Sequence, residues 1–225
     1  MRSRIDHLVV AAASLDQGVA WCEAILGVTP GPGGEHPLMG THNRLLRVAT
    51  VDHPRAYLEI IAVQPGRVPQ RARRWFDFDD EALRDTLARS GPRLVHFVAS
   101  VPDLRQALAA WQALHLDRGP PVAASRMTPR GLLEWQITVR DDGQRLFEGT
   151  LPTLIEWGAT HPASGMPESG VTLQSLELRH PQAAKLRAAC EAIGLQGVAI
   201  KEGDANLCAV LDTPRGRARL ESGGL

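Results

Sequence analysis

Hydrophobic residues in this chain fall into a pattern that repeats. Ile5-Asp6-His7-Leu8-Val9-Val10, after Arg4, is apolar on both faces apart from Asp6 and His7, the signature of a strand buried on two sides. A helical period follows, with Ser14 as N-cap, Leu15, Val19, Cys22, Ile25 and Leu26 along one side, and Gly27 as the stop. A Gly/Pro-rich loop is expected over 30–34, then short strands at 43–48 and 56–63.

The same order returns. Arg93 to Ala99 reads as a strand with His96 at the place of His7, and Asp103 caps a helix bearing Leu104, Ala107, Leu108, Trp111 and Leu114. Seven residues separate His7 from Ser14 and His96 from Asp103. Strands are expected at 122–127, 132–139 and 151–157. A third, shorter copy runs from a strand at 171–178 through a helix that starts at Pro181 and stops at Gly194. Strands at 198–201, 206–211 and 218–221 complete it, and Ser175 stands opposite His7. The reading is an α+β chain of repeated βαβββ modules: 1–63, 93–158 and an extra C-terminal 171–225. Between them lie a linker at 64–92, with a helix capped by Asp79, and a second linker at 159–170. The basic run Arg71-Ala72-Arg73-Arg74 in the first linker reads as a solvated face.

Composition narrows the partners. Lys plus Arg and Asp plus Glu both total 25, so no excess charge draws the molecule to nucleic acid or an anionic membrane. No apolar run is long enough for a membrane span, and the N-terminal segment lacks the apolar stretch of a signal peptide. Cys22, Cys190 and Cys208 have neither disulfide-framework nor zinc-finger spacing. Cytoplasmic placement is the expectation. No phosphate loop, dinucleotide fingerprint or nucleophile elbow occurs.

Four ionisable residues interrupt these apolar strands. Alternation places His7 with Ile5 and Val9, Glu59 with Tyr57 and Ile61, His96 with Leu94 and Val98, and Glu156 with Leu154. A buried carboxylate needs a partner or a proton. Two imidazoles and two carboxylates at matched places in a repeat suit an open divalent transition-metal centre (Ni, Co, Zn, Mn or Fe). The same residues also suit hydrogen-bonded core positions, with the glutamates paired to arginines. Thr41, His42 and Asn43, beside Gly40, suit a pocket rim that binds substrate oxygens; Trp135 suits either the core or a stacking wall. His36, His53, His115, His161 and His180 receive no role.

Asp6-His7-Leu8, the Gly27 helix end, Tyr57-Leu58-Glu59, Val95-His96-Phe97 and Leu154-Ile155-Glu156-Trp157 resemble the vicinal-oxygen-chelate superfamily, in its glyoxalase-like branch. That resemblance spans nearly the whole chain. It implies two paired modules forming a curved sheet, with His7, Glu59, His96 and Glu156 as metal ligands, Glu156 as the proton-shuttling carboxylate and Glu59 as its counterpart. The implied activity is a lyase or isomerase acting on a small oxygen-rich molecule through an enediolate-like intermediate. A metal-free small-molecule-binding protein of the bleomycin-resistance type is the alternative, and an extradiol dioxygenase is a third. Because modules of this family work in pairs, the odd third module must pack on the first two or on a second copy in a homodimer.

Overall fold

The computed structural model of the chain describes residues 2–128 and 131–224; Met1, Pro129, Arg130 and Leu225 lie outside it. The strand–helix–strands order occurs three times. The first unit holds β1 (Ser3–Ala11), α1 (Leu15–Leu26), β2 (Gly31–His36), β3 (Thr41–Arg47) and β4 (Tyr57–Val63), and α2 (Glu81–Ser90) follows it. The second holds β5 (Arg93–Ser100), α3 (Leu104–Ala113), β6 (Pro121–Thr128), β7 (Gly131–Thr138) and β8 (Thr153–Trp157). The third holds β9 (Thr172–Arg179), α4 (Ala183–Ala192), β10 (Leu195–Gln196), β11 (Val198–Lys201), β12 (Asn206–Thr213) and β13 (Gly216–Glu221).

Local chemistry accounts for the starts of three helices. The Ser14 hydroxyl accepts from the Gln17 amide, and Gly27 closes α1 at φ 75°, a backbone region that glycine enters without a β-carbon penalty. Asp103 caps α3 through the Gln106 amide. At α2 the cap is Asp80, not Asp79: Asp80 takes the Ala82 and Leu83 amides, while Asp79 binds the backbone and guanidinium of Arg74. The segment expected as a 30–34 loop is largely strand, because β2 pairs antiparallel with β3. Pro32 is tolerated there since an edge strand has one side with no ladder to donate to.

The large sheet runs β2-β3-β4-β1-β5-β8-β7-β6, with β10 added parallel to β1. At its centre β1 and β5 are antiparallel, and each is flanked by a parallel partner, β4 and β8. The two modules are therefore related by an approximate two-fold axis between β1 and β5. The third unit forms its own sheet, β11-β9-β12-β13. It packs on the outer side of the large sheet, where one core joins Leu8, Val10, Leu58, Ile60, Phe97 and Leu154 to Leu176, Leu186 and Leu207. Trp111 of α3 is fully buried there and donates its indole N–H to the Ala189 carbonyl of α4 at 2.8 Å. The odd module thus covers the backs of the first two.

Cys22 and Cys190 lie in this core, and burial pushes both thiols up to about 12. The inner face carries Val9, Ile61, Val98, Ile137 and Ile155, covered at one end by Trp75, Phe76, Phe78, Leu83 and Leu87 from the segment between modules.

Two bulges break the simple alternation. Ile5 pairs with Ala99 and His7 with Val98, which leaves Asp6 as an extra residue. Val9 pairs with His96 and Val10 with Leu94, which leaves Val95 extra. A bulge lets two consecutive side chains leave on one side of a sheet. So Ile5 and Leu94 belong to the outer core, whereas His7 and His96 share the inner face with Val9 and Val98. The expected companionship of His7 with Ile5 and of His96 with Leu94 is therefore corrected. β9 has the same device: Val210 pairs with Ser175 and Leu211 with Leu173, so Ser175 follows its bulge as His7 follows Asp6.

Candidate functional site

The bulge in β1 sends Asp6 and His7 into the cup together. His7 Nδ1 lies 2.7 Å from Asp6 Oδ1. The other carboxylate oxygen of Asp6 accepts from Trp157 Nε1 at 2.8 Å and lies 3.0 Å from His161 Nε2. Full burial alone would raise the Asp6 carboxyl, but the hydrogen bonds from His161 and His7 prevail and hold it well below the usual carboxylate range. Asp6 is thus an anion that accepts the Nδ1 proton of His7 and leaves Nε2 free to act in the cup. Tyr57 stacks on the imidazole with ring centres 4.6 Å apart.

Glu59 faces His7 from β4, with Oε2 3.6 Å from Nε2. Its other oxygen accepts from Asn43 Nδ2 at 2.6 Å, and the Asn43 carbonyl accepts from the Gly34 amide. Asn43 Nδ2 also lies 3.3 Å from His36 Nε2, and His36 Nδ1 lies 3.0 Å from Thr41 Oγ1. Burial holds His36 neutral, down to about 4, against the opposing pull of Glu59. A neutral ring fits both contacts, donating from Nδ1 to the threonine and accepting at Nε2. Thr41 therefore supports His36, while Asn43 positions Glu59. His42 sits on the opposite side of β3 from Thr41 and Asn43.

His96 is wholly buried and in different company. Its Nδ1 contacts the Gly149 carbonyl at 2.8 Å. Its Nε2 accepts from the Thr153 amide at 3.1 Å, and it lies 3.0 Å from Thr153 Oγ1 and 3.2 Å from Arg118 Nη2. Burial, with Arg118 beside it, pushes this imidazole well below the ordinary histidine value. Arg118 also binds the Pro152 and Gln144 carbonyls and the Thr153 hydroxyl. A guanidinium thus occupies the direction in which Nε2 would meet a cation.

Glu156 lies on the outer side, with Leu154. Its Oε2 accepts from the Leu104 amide at 2.7 Å, so it satisfies the N-terminus of α3. Of the four expected ligands, the structure brings His7 and Glu59 together and separates His96 and Glu156 from them. In register, Glu59 pairs with Val9, and Thr153 pairs with Val98. Thr153, not Glu156, is the second-module counterpart of Glu59.

The pocket itself holds about 480 Å³ of space between atoms, open mouth included. His7, Glu59, Asn43 and His36 form one wall; Trp135, Trp157, Leu133 and Ile137 form the other, with Trp75 and Phe76 at the end and Arg126 among the lining. Trp135 and Trp157 lie 5.5 Å apart. Sequence reasoning left out His36, Arg126 and the orienting residues Asp6 and His161. Asp6 carried a signal, a buried carboxylate adjacent to the histidine. His161 and Arg118 carried none, since each reaches its partner across a large sequence separation.

A family model described as "Glyoxalase-like domain" matches residues 5–194. The chain belongs to this glyoxalase-like family. Among solved structures, a hypothetical protein from Staphylococcus aureus is similar at 12% identity, covering 91% of this chain and 88% of that one, with TM-score 0.61. That likeness supports the same fold. The methylmalonyl-CoA epimerase of Streptomyces coelicolor, in complex with 2-nitronate-propionyl-CoA, is 20% identical over 71% of this chain and all of that one, with TM-score 0.42. The epimerase from Mycobacterium tuberculosis is 16% identical over 72% of this chain and 91% of that one, with TM-score 0.38. No curated protein matches the chain. No helix among the described residues is long and apolar enough to cross a membrane.

A divalent metal does not fit the donor set expected for this glyoxalase-like protein. Among the described residues no group of three or more His, Cys, Asp or Glu is arranged to hold one. Near Glu59 the Asn43 amide fills the approach to His36, and near His96 the Arg118 guanidinium does the same. The two-histidine, one-glutamate iron site of an extradiol dioxygenase fails for the same reason.

Proposed function

We propose that this glyoxalase-like protein is an isomerase- or lyase-type enzyme that moves a proton on a small oxygen-bearing molecule, with His7 and Glu59 as its acid–base pair. The observation that carries this reading is the Asp6–His7 contact of 2.7 Å, with Nε2 held in the pocket 3.6 Å from Glu59. His7 Nε2 removes a proton from a carbon next to a carbonyl, which leaves an enediolate-like anion. The ionised Asp6 stabilises the imidazolium through Nδ1–H. Glu59 accepts the proton from Nε2 and returns it, and redelivery to the neighbouring carbon or oxygen completes an isomerisation with no net change in charge. Glu156 takes no part, and no step is assigned to a metal.

The test is deuterium uptake from D₂O, followed by proton NMR, over a panel of small 2-oxo and 2-hydroxycarbonyl compounds. Exchange is expected with wild-type protein in EDTA, and His7→Gln should slow it by about 100-fold or more. Exchange that requires an added divalent metal, or no exchange with any compound, would overturn the proposal.

A second reading is favoured by the aromatic wall of Trp75, Phe76, Trp135 and Trp157. In it the protein binds a flat small molecule without turnover. Tight binding with no exchange, retained in His7→Gln, is its signature.

A further inference from the structure

Among the described residues Arg126 is the one arginine or lysine lining the pocket. It sits on β6, half-buried, opposite the β2 edge. Among the described residues no carboxylate forms an ion pair with it, whereas Arg67, Arg71, Arg74 and Arg145 are paired with Glu35, Asp141, Asp79 and Asp77. A guanidinium partly withdrawn from water costs free energy unless an anion accompanies it.

The chain makes room for this arrangement. A β-carbon at Gly34 would collide with the Arg126 guanidinium, and one at Gly33 would collide with the Asn43 side chain and carbonyl. The paired glycines thus let the positioning amide of Glu59 and the cation approach the same stretch of β2. The pocket therefore combines a guanidinium without an ion-paired carboxylate among the described residues and flat apolar walls.

We infer that the ligand of this site is a small organic carboxylate with a flat or apolar body, its carboxylate on Arg126 and its body against Trp135 and Trp157. This rests on the proposed acid–base reading of the same pocket, which it extends by naming the substrate class. A planar guanidinium binds a carboxylate through two parallel hydrogen bonds, and the aromatic walls select against strongly hydrated compounds.

The experiment compares matched pairs of aromatic and aliphatic monocarboxylic acids and their neutral amides, by thermal shift and tryptophan fluorescence titration. The acids are expected to stabilise the protein more than their amides and to bind about tenfold or more tightly, with the advantage shrinking in high salt. Arg126→Gln should remove the acid's advantage and leave amide binding unchanged, and Gly34→Ala, which displaces the guanidinium, should weaken it. His7→Gln should keep the preference for acids while losing proton exchange, so a failure of catalysis is distinguishable from a failure of this assignment. Acids that bind no better than amides, or a preference that survives Arg126→Gln, would overturn it.

Discussion

Thr153 stands in the second module at the register position that Glu59 holds in the first, and each faces the histidine of its own module. Glu59 Oε2 lies 3.6 Å from His7 Nε2, and Thr153 Oγ1 lies 3.0 Å from His96 Nε2. Both modules have the histidine and the bulge, but only the first has an acid at this place; in the second Arg118 lies beside the Thr153 hydroxyl. The two halves therefore do different work. One presents an imidazole to the pocket; the other encloses an imidazole in a hydrogen-bonded core.

Asp6→Asn should reduce proton exchange by roughly 100-fold or more while the chain still folds. An amide at this position loses the charge that favours imidazolium and turns an N–H₂ towards either His7 or the Trp157 donor. Orphaning a buried donor costs about 1–3 kcal/mol. The check is a pH–rate profile beside a urea titration; an unchanged profile would remove Asp6 from the mechanism.

Stability should fall as pH falls from about 6.5, the ordinary histidine value, to about 4, where His36 titrates. Burial keeps His36 and His96 neutral in the folded chain, so the unfolded chain binds more protons in this window, and stability rises with pH. Each group contributes roughly 1.4 kcal/mol per pH unit. Asp6 is depressed, so its contribution is present above about 3.9 and is lost only at lower pH. Urea midpoints at pH 7, 5.5 and 4.5 measure the slope, and a flat series contradicts it.

Arg118→Met should destabilise the protein by roughly 3 kcal/mol, because the Pro152 and Gln144 carbonyls, the Thr153 hydroxyl and His96 Nε2 all lose a buried donor. His96 should also become easier to protonate, since the guanidinium helps to keep it neutral. Chemical denaturation and histidine NMR titration report the two effects; no change in either would show that the Arg118–His96 contact carries no energy.

Trp111→Phe should cost about 1–3 kcal/mol through the unpaired Ala189 carbonyl and the lost packing. Unfolding should stay a single transition, because the third module shares one core with the first two. Calorimetry showing a separate early transition would mean that the third module is independent.

Strand and helix order was legible because apolar periodicity and the Ser14, Asp103 and Gly27 caps act within a few residues. β2 was missed because glycine and proline suppress the strand signal, and its pairing with β3 is a nonlocal fact. Glu156 was misassigned for a traceable reason. Parity puts it with Leu154, which faces the helices, and a three-residue offset in the module match hid Thr153 as the counterpart of Glu59.

By itself, the order of residues gave strand–helix–strand repeats, placed His7 and Glu59 among apolar residues of their strands, and repeated the histidine at residue 96. Local sterics and the two-residue period of a strand suffice for that. Only the tertiary structure decided which imidazole faces the pocket. Bulges at Asp6 and Val95 reset the facing of side chains, and partners far off in sequence (His161 for Asp6, Arg118 for His96) set the charge around each ring. Such contacts depend on how sheets close, and no local pattern encodes them.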